Sequence, residues 1–182
     1  MKNKILEKLI TNAQIQDTLV SARNFCEFID SVALQNYAHD NFIDLLHVRL
    51  ADLYSKSILL PKIELVVTES KTGREVRETD TARYNKLTEL LGEYTDYSQS
   101  FDPTILNDPE NYTNGWLVDD LADIYNDLNE IIKSIETGTD GSVQHALWHL
   151  KFGFGAHWGS HLIDALRFVH YVKYEKLYRH LE

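Results

Sequence analysis

Proline and glycine are scarce, at three and eight in 182 residues. A sandwich of short strands would need a turn signal every ~8–12 residues, so long stretches with neither residue favour helices. Cysteine occurs once, as Cys26, which excludes an internal disulfide. No apolar run approaches the ~20 residues that span a bilayer. The opening segment MKNKILEKLITNAQ interleaves charges with aliphatics where a signal peptide needs a continuous apolar stretch. Positive charge is also short, with 18 basic against 28 acidic residues and a formal net charge of −10. Binding to a phosphate backbone draws its affinity from clustered cations, so nucleic acid is not expected as a partner, and neither is an anionic membrane surface. These absences together predict a cytoplasmic protein whose partner is another protein or a small molecule, with a homo-oligomer compatible.

What is present fits one globular domain over residues 1–182. Hydrophobic residues make up 43% and charged residues 25%, and a chain of this length buries roughly 70% of its unfolded surface. The fold class expected is all-α: one bundle of about five mostly antiparallel helices. Apolar residues at three- and four-residue intervals predict helices over 13–35 and 40–59, the second capped by Asp40 and followed by Pro61. Ile5 to Ile10 form a separate turn or a continuation of the first helix. A third helix is expected over 81–98 and a fourth over 115–136, with Leu117, Leu121, Ile124, Leu128, Ile131 and Ile135 on its apolar arc. The longest, from Val143 towards Tyr178, would span about 50 Å and bend at Gly153 or Gly155. Residues 61–80 are either a small hairpin or a loop, and FDPTILNDPENYTNG reads as a loop.

Two segments carry chemistry. In DDLADIYNDLNE, Asp119, Asp123, Asp127 and Glu130 fall within roughly 80° at 100° per residue, with Asp120 near the edge of the apolar arc. In AHWGSHLIDALR, His157, His161 and Asp164 fall within about 60° of one another on a face shared with Leu150, Phe154 and Phe168. An imidazole in an apolar stripe must find a partner. One solution is a hydrogen-bond network to Asp120 or Asp127, with Arg167 paired to an acid. The other is a divalent metal: Zn, Fe or Mn, or else Mg on the carboxylates, with His157, His161, Asp164 and Asp120 as the candidate ligands. Paired HxxxH without the glutamate of HExxH is a weak motif. Arg49 lies inside the apolar arc of its helix, where it either snorkels at the bundle edge or clamps one of the aspartates. Gly153, Gly155 and Gly159 do not have the spacing of a phosphate loop and instead suit the close approach of a helix or an aromatic ring. Cys26 sits on an apolar face as an inert thiol would, and no G-x-S-x-G is present.

WLVDDLADIYNDL followed by WHLKFGFGAHWGSHLIDALRFVH, with FDP at Phe101 to Pro103 ahead of them, resembles an uncharacterised bacterial family, a domain of unknown function. The resemblance implies an all-helical bacterial cytoplasmic protein and carries no activity. It groups Asp119, Asp120, Asp123, Tyr125 and Asp127 with His157, Trp158, His161, Asp164 and Arg167. The leading expectation is a non-catalytic binding or accessory domain held together by an Asp/His/Arg network. The alternative is a metal-dependent hydrolase or phosphohydrolase.

Overall fold

A computed structural model describes residues 4–65, 81–100 and 104–179, with side chains as far as Glu175. The described residues form seven helices and one two-stranded ribbon, where the sequence predicts five helices. The first break falls between α1 (Lys4–Ile10) and α2 (Ala13–Ser31). Asn12 caps α2, its side chain accepting from the Ile15 amide at 3.0 Å. In α3 (His39–Ser57) the cap position is Ala38, which offers no side-chain acceptor. Asp40 lies within the first turn, where its charge complements the helix dipole instead of capping.

The helix expected over 81–98 ends sooner. α4 (Thr81–Leu91) stops at Gly92, whose φ of +59° is the left-handed geometry that closes helices. The chain then turns into β1 (Asp96–Ser100), which pairs antiparallel with β2 (Tyr112–Trp116). Part of the presumed loop is therefore a ribbon, with Tyr97 opposite Gly115. Residues 61–65 lack regular structure, and the rest of the possible hairpin over 61–80 lies outside the described residues, as do Phe101 to Pro103.

β2 runs directly into α5 (Leu117–Thr137), where Leu117, Leu121, Ile124, Leu128 and Ile131 are buried as the periodicity predicts. Four helices close a ring, α2 on α3, α3 on the last helix, that helix on α5, and α5 on α2. Phe25, Phe42, Leu46, Leu121 and Leu128 fill the ring with no exposed surface. Among the described residues no helix is long and apolar enough to cross a membrane.

The expected long C-terminal helix is two helices, α6 (Asp140–Ala156) and α7 (Trp158–Arg179), both packed on α5. The break is at His157, with φ −149° and ψ −91°. Two glycines make it possible. A Cβ on Gly153 would lie 2.6 Å from Cδ1 of the buried Trp158 ring, and one on Gly159 would lie 1.9 Å from the Phe154 carbonyl oxygen. Their small size brings the first turn of α7 down onto the last turn of α6. Apolar periodicity continues on both sides of the break, so a single non-helical residue leaves no mark in the pattern.

Candidate functional site

The break decides what His157 and His161 face. His157 is not in an apolar stripe: its side chain is 49% exposed at the junction, and the interruption destroys the phase that would align it with Leu150 and Phe154. His161, one turn into α7, is half-buried. Their rings nevertheless meet edge to face with centroids 5.0 Å apart.

Across from them, α5 presents Asp120, Asp123 and Asp127, at intervals of three and four that stack on one helical face. His157 Nδ1 lies 2.7 Å from Asp127 Oδ2, and His161 Nδ1 lies 2.7 Å from Asp120 Oδ1. An ionised carboxylate can only accept, so each Nδ1 carries the hydrogen and donates. In a neutral ring that leaves Nε2 as the lone pair. His161 Nε2 is 3.5 Å from Asp123 Oδ2. One nitrogen of each histidine and one carboxylate oxygen of Asp123 lie within 4.8 Å of one another.

Asp120 is buried and accepts on both oxygens, from His161 on one and from the Tyr97 hydroxyl at 2.5 Å on the other. Tyr97 reaches it across Gly115, where a Cβ would stand 2.3 Å from the ring. The Asp120 hydrogen bond, outweighing burial, raises His161 above its ordinary value, with the charges of Asp120, Asp123 and Asp119 adding to it. Asp119 and Asp164 are both raised, first by burial and next by neighbouring aspartates.

Asp120, Asp123, Asp127, His157 and His161 thus come together. Asp164 faces the ribbon instead, where the side-chain amide of Gln99, turned towards it, donates to both carboxylate oxygens at 3.0 Å. Asp119 is exposed, and it lines a cavity of about 380 Å³ with Gln99, Trp116, Asp120, His161 and Asp164. Arg167 is exposed and acts on Asp164 through its field, holding the carboxyl down against burial. Arg49 is half-buried with its Nε unpartnered, and among the described residues it clamps no aspartate of α5. Tyr125 points away from the histidines: its hydroxyl donates to Asp30 at 2.8 Å, and the Arg83 guanidinium sits 4.1 Å above its ring.

Sequence reasoning missed Tyr97, which lies in the stretch read as helix, and Gln99, just past its end. The signal was the Tyr/Thr/Trp content of YTDYSQS and NYTNGW, residues that suit a pleated ribbon. On the other side of the site, a groove of about 510 Å³ begins at Asp127 and His157 and continues between α5 and α6.

Fold and site together define a mostly helical bundle with a small two-stranded ribbon and an Asp/His cluster set where two helices abut a third. The chain belongs to the family described as "Domain of unknown function (DUF5063)", which matches residues 10–175. It is also similar to a Bacteroides fragilis protein solved by crystallography as a structural genomics target. That likeness has 27% identity and a TM-score of 0.72, and covers 91% of this chain and 96% of the other. No curated protein matches.

Proposed function

We propose that His157, His161 and Asp123 hold a divalent transition metal, and that the protein is a metal-dependent hydrolase. One observation carries this reading. Two imidazoles and a carboxylate converge within 4.8 Å, and Nδ1 of each ring is held by its own aspartate. Metal-bound histidines characteristically donate their other ring N–H to a carboxylate, which fixes the tautomer and strengthens the ligand. Asp127 and Asp120 are those carboxylates.

The distances allow it. Ligand atoms ~2.0–2.1 Å from a tetrahedral ion stand about 3.4 Å apart. His161 and Asp123, at 3.5 Å, are already there, and His157 brings a nitrogen within 4.8 Å of both. Two nitrogens and one oxygen suit Zn, Fe or Mn better than Mg, which prefers oxygen alone. Three protein ligands leave positions open, the pattern of a catalytic ion rather than a structural one. An ion held there would supply activation of a bound water for attack on a carbonyl or phosphoryl group, and Asp119, raised by burial and its aspartate neighbours, lines the same cavity as His161 and is the candidate group to take the proton. The net charge of −10 supports a small-molecule substrate over nucleic acid.

Elemental analysis of protein purified without chelator, beside His157→Ala/His161→Ala, tests the assignment. About one equivalent of metal in the native protein, lost in the variant, is expected. Metal absent from the native protein, and not taken up from micromolar zinc, would leave the cluster as the structural network that the same hydrogen bonds also describe.

A further inference from the structure

Resting on that metal reading, we infer that the groove between α5 and α6 receives the apolar body of the substrate: an amphipathic small molecule with an aryl or alkyl tail and an oxygen-bearing, metal-ligating head at the His157 end. The groove and the cluster are continuous, because Asp127 and His157 line both. Its base is apolar. Ile131, Ala146 and Gly153 line it and are buried in the bundle. Its rim carries Phe152, 52% exposed and stacked on Trp148 with centroids 4.6 Å apart. A ring held in place by a second ring yet open on its other face is a ready surface for an apolar group.

The volume, about 510 Å³, lies within the ~300–1,000 Å³ of small-molecule sites and is too small for a docked helix. The opposite cavity is unsuited to the same tail. Three carboxylates, Asp119, Asp120 and Asp164, line it, whereas in the groove Asp127 lies at the metal end and Glu130 beside Ile131, Ala146, Phe152 and Ala156, so the groove is the better host for an apolar body.

Zinc-loaded protein titrated with phenylacetohydroxamate and with acetohydroxamate separates head from tail by calorimetry. Burial of the phenyl ring predicts binding about tenfold tighter for the aryl compound. Phe152→Ala, at an exposed site, and Ala156→Leu, which narrows the groove from its exposed metal-end rim, should each remove most of that tenfold gain. Both should leave metal content and acetohydroxamate affinity unchanged. Equal affinity of the two hydroxamates, or a gain that survives both variants, overturns the groove assignment while the metal reading stands. Bound zinc with no hydroxamate binding does the same. Failure to retain zinc overturns both, since the head would have nothing to ligate.

Discussion

Gly153 and Gly155 lie two residues apart in α6, and alanine at each should move stability in opposite directions. In a helix interior, alanine is favoured over glycine by up to ~1 kcal/mol. At Gly155 nothing stands within 4 Å of an added Cβ. Close to the helix end the gain there should be about 0.5 kcal/mol. At Gly153 the Cβ would meet Trp158 Cδ1 at 2.6 Å and Nε1 at 2.8 Å. Trp158 is fully buried and has no room to retreat, so overpacking costs ~1–3 kcal/mol. After the propensity gain, Gly153→Ala should lose about 1–2 kcal/mol. For a chain of this size 1 kcal/mol shifts Tm by ~2–4 °C, so the two variants should melt roughly 3–10 °C apart, Gly155→Ala above wild type and Gly153→Ala below. Differential scanning calorimetry on the three proteins reads this directly. If Gly153→Ala melts at or above Gly155→Ala, the indole does not rest on Gly153, and the account of the helix break built on that contact is wrong.

Asp127→Asn keeps a side chain of the same shape but weakens the acceptor behind His157, and zinc affinity measured by competition with a chromophoric chelator should fall about 10–100-fold with the fold intact; an unchanged affinity would remove Asp127 from the site. Burial pushes the Cys26 thiol up to about 12, so a disulfide exchange reagent at pH 8 should label it only in denaturant; prompt labelling of native protein would contradict its packing. His47 is lowered from its ordinary 6.5 by burial first and then by Lys173 and His170, with Asp44 opposing. As pH falls below about 6.5 the unfolded chain takes up this proton before the folded one, so stability present above that pH is lost on acidification. His47→Asn should flatten part of the urea-midpoint decline between about pH 7 and 5, and an identical slope would show that the site does not contribute.

The helical class and α5 were legible because their signals are local. Leu117 to Ile131 repeat with the helix period, and the aspartates ride on the same helix. What was not legible depends on contacts distant in sequence. The stop at Gly92, the ribbon that brings Tyr97 over Gly115, and the break at His157 are each set by packing against a partner that periodicity does not register. The histidine–aspartate pairing across α5 and α7 was within reach as a class of contact. The exchange of Asp164 for Asp123 as the third converging group was not, because a continuous helix would have kept Asp164 in line with both rings.

The hydrogen bonds to Asp120 and Asp127 serve a structural network and a metal centre equally well, so they do not discriminate. The two readings differ in what occupies the far side of His161. With Nδ1–H donated to Asp120, a neutral ring turns a lone pair towards Asp123 Oδ2 at 3.5 Å, acceptor facing acceptor, an arrangement that a cation between them relieves. A proton on Nε2 is one such cation, favoured first by the Asp120 hydrogen bond and then by the charges of Asp120, Asp123 and Asp119. A metal is the other, and it binds only the deprotonated nitrogen. The two compete for one lone pair, so zinc added to metal-free protein at pH 5.5, below the ~7 at which a zinc-bound water ionises, should release a proton from His161. His161→Gln, which has no titrating nitrogen, should release none from this position. Zinc binding with equal proton release from the two proteins at that pH would mean that the ion sits elsewhere, and that the charge facing Asp123 is the imidazolium of a structural network.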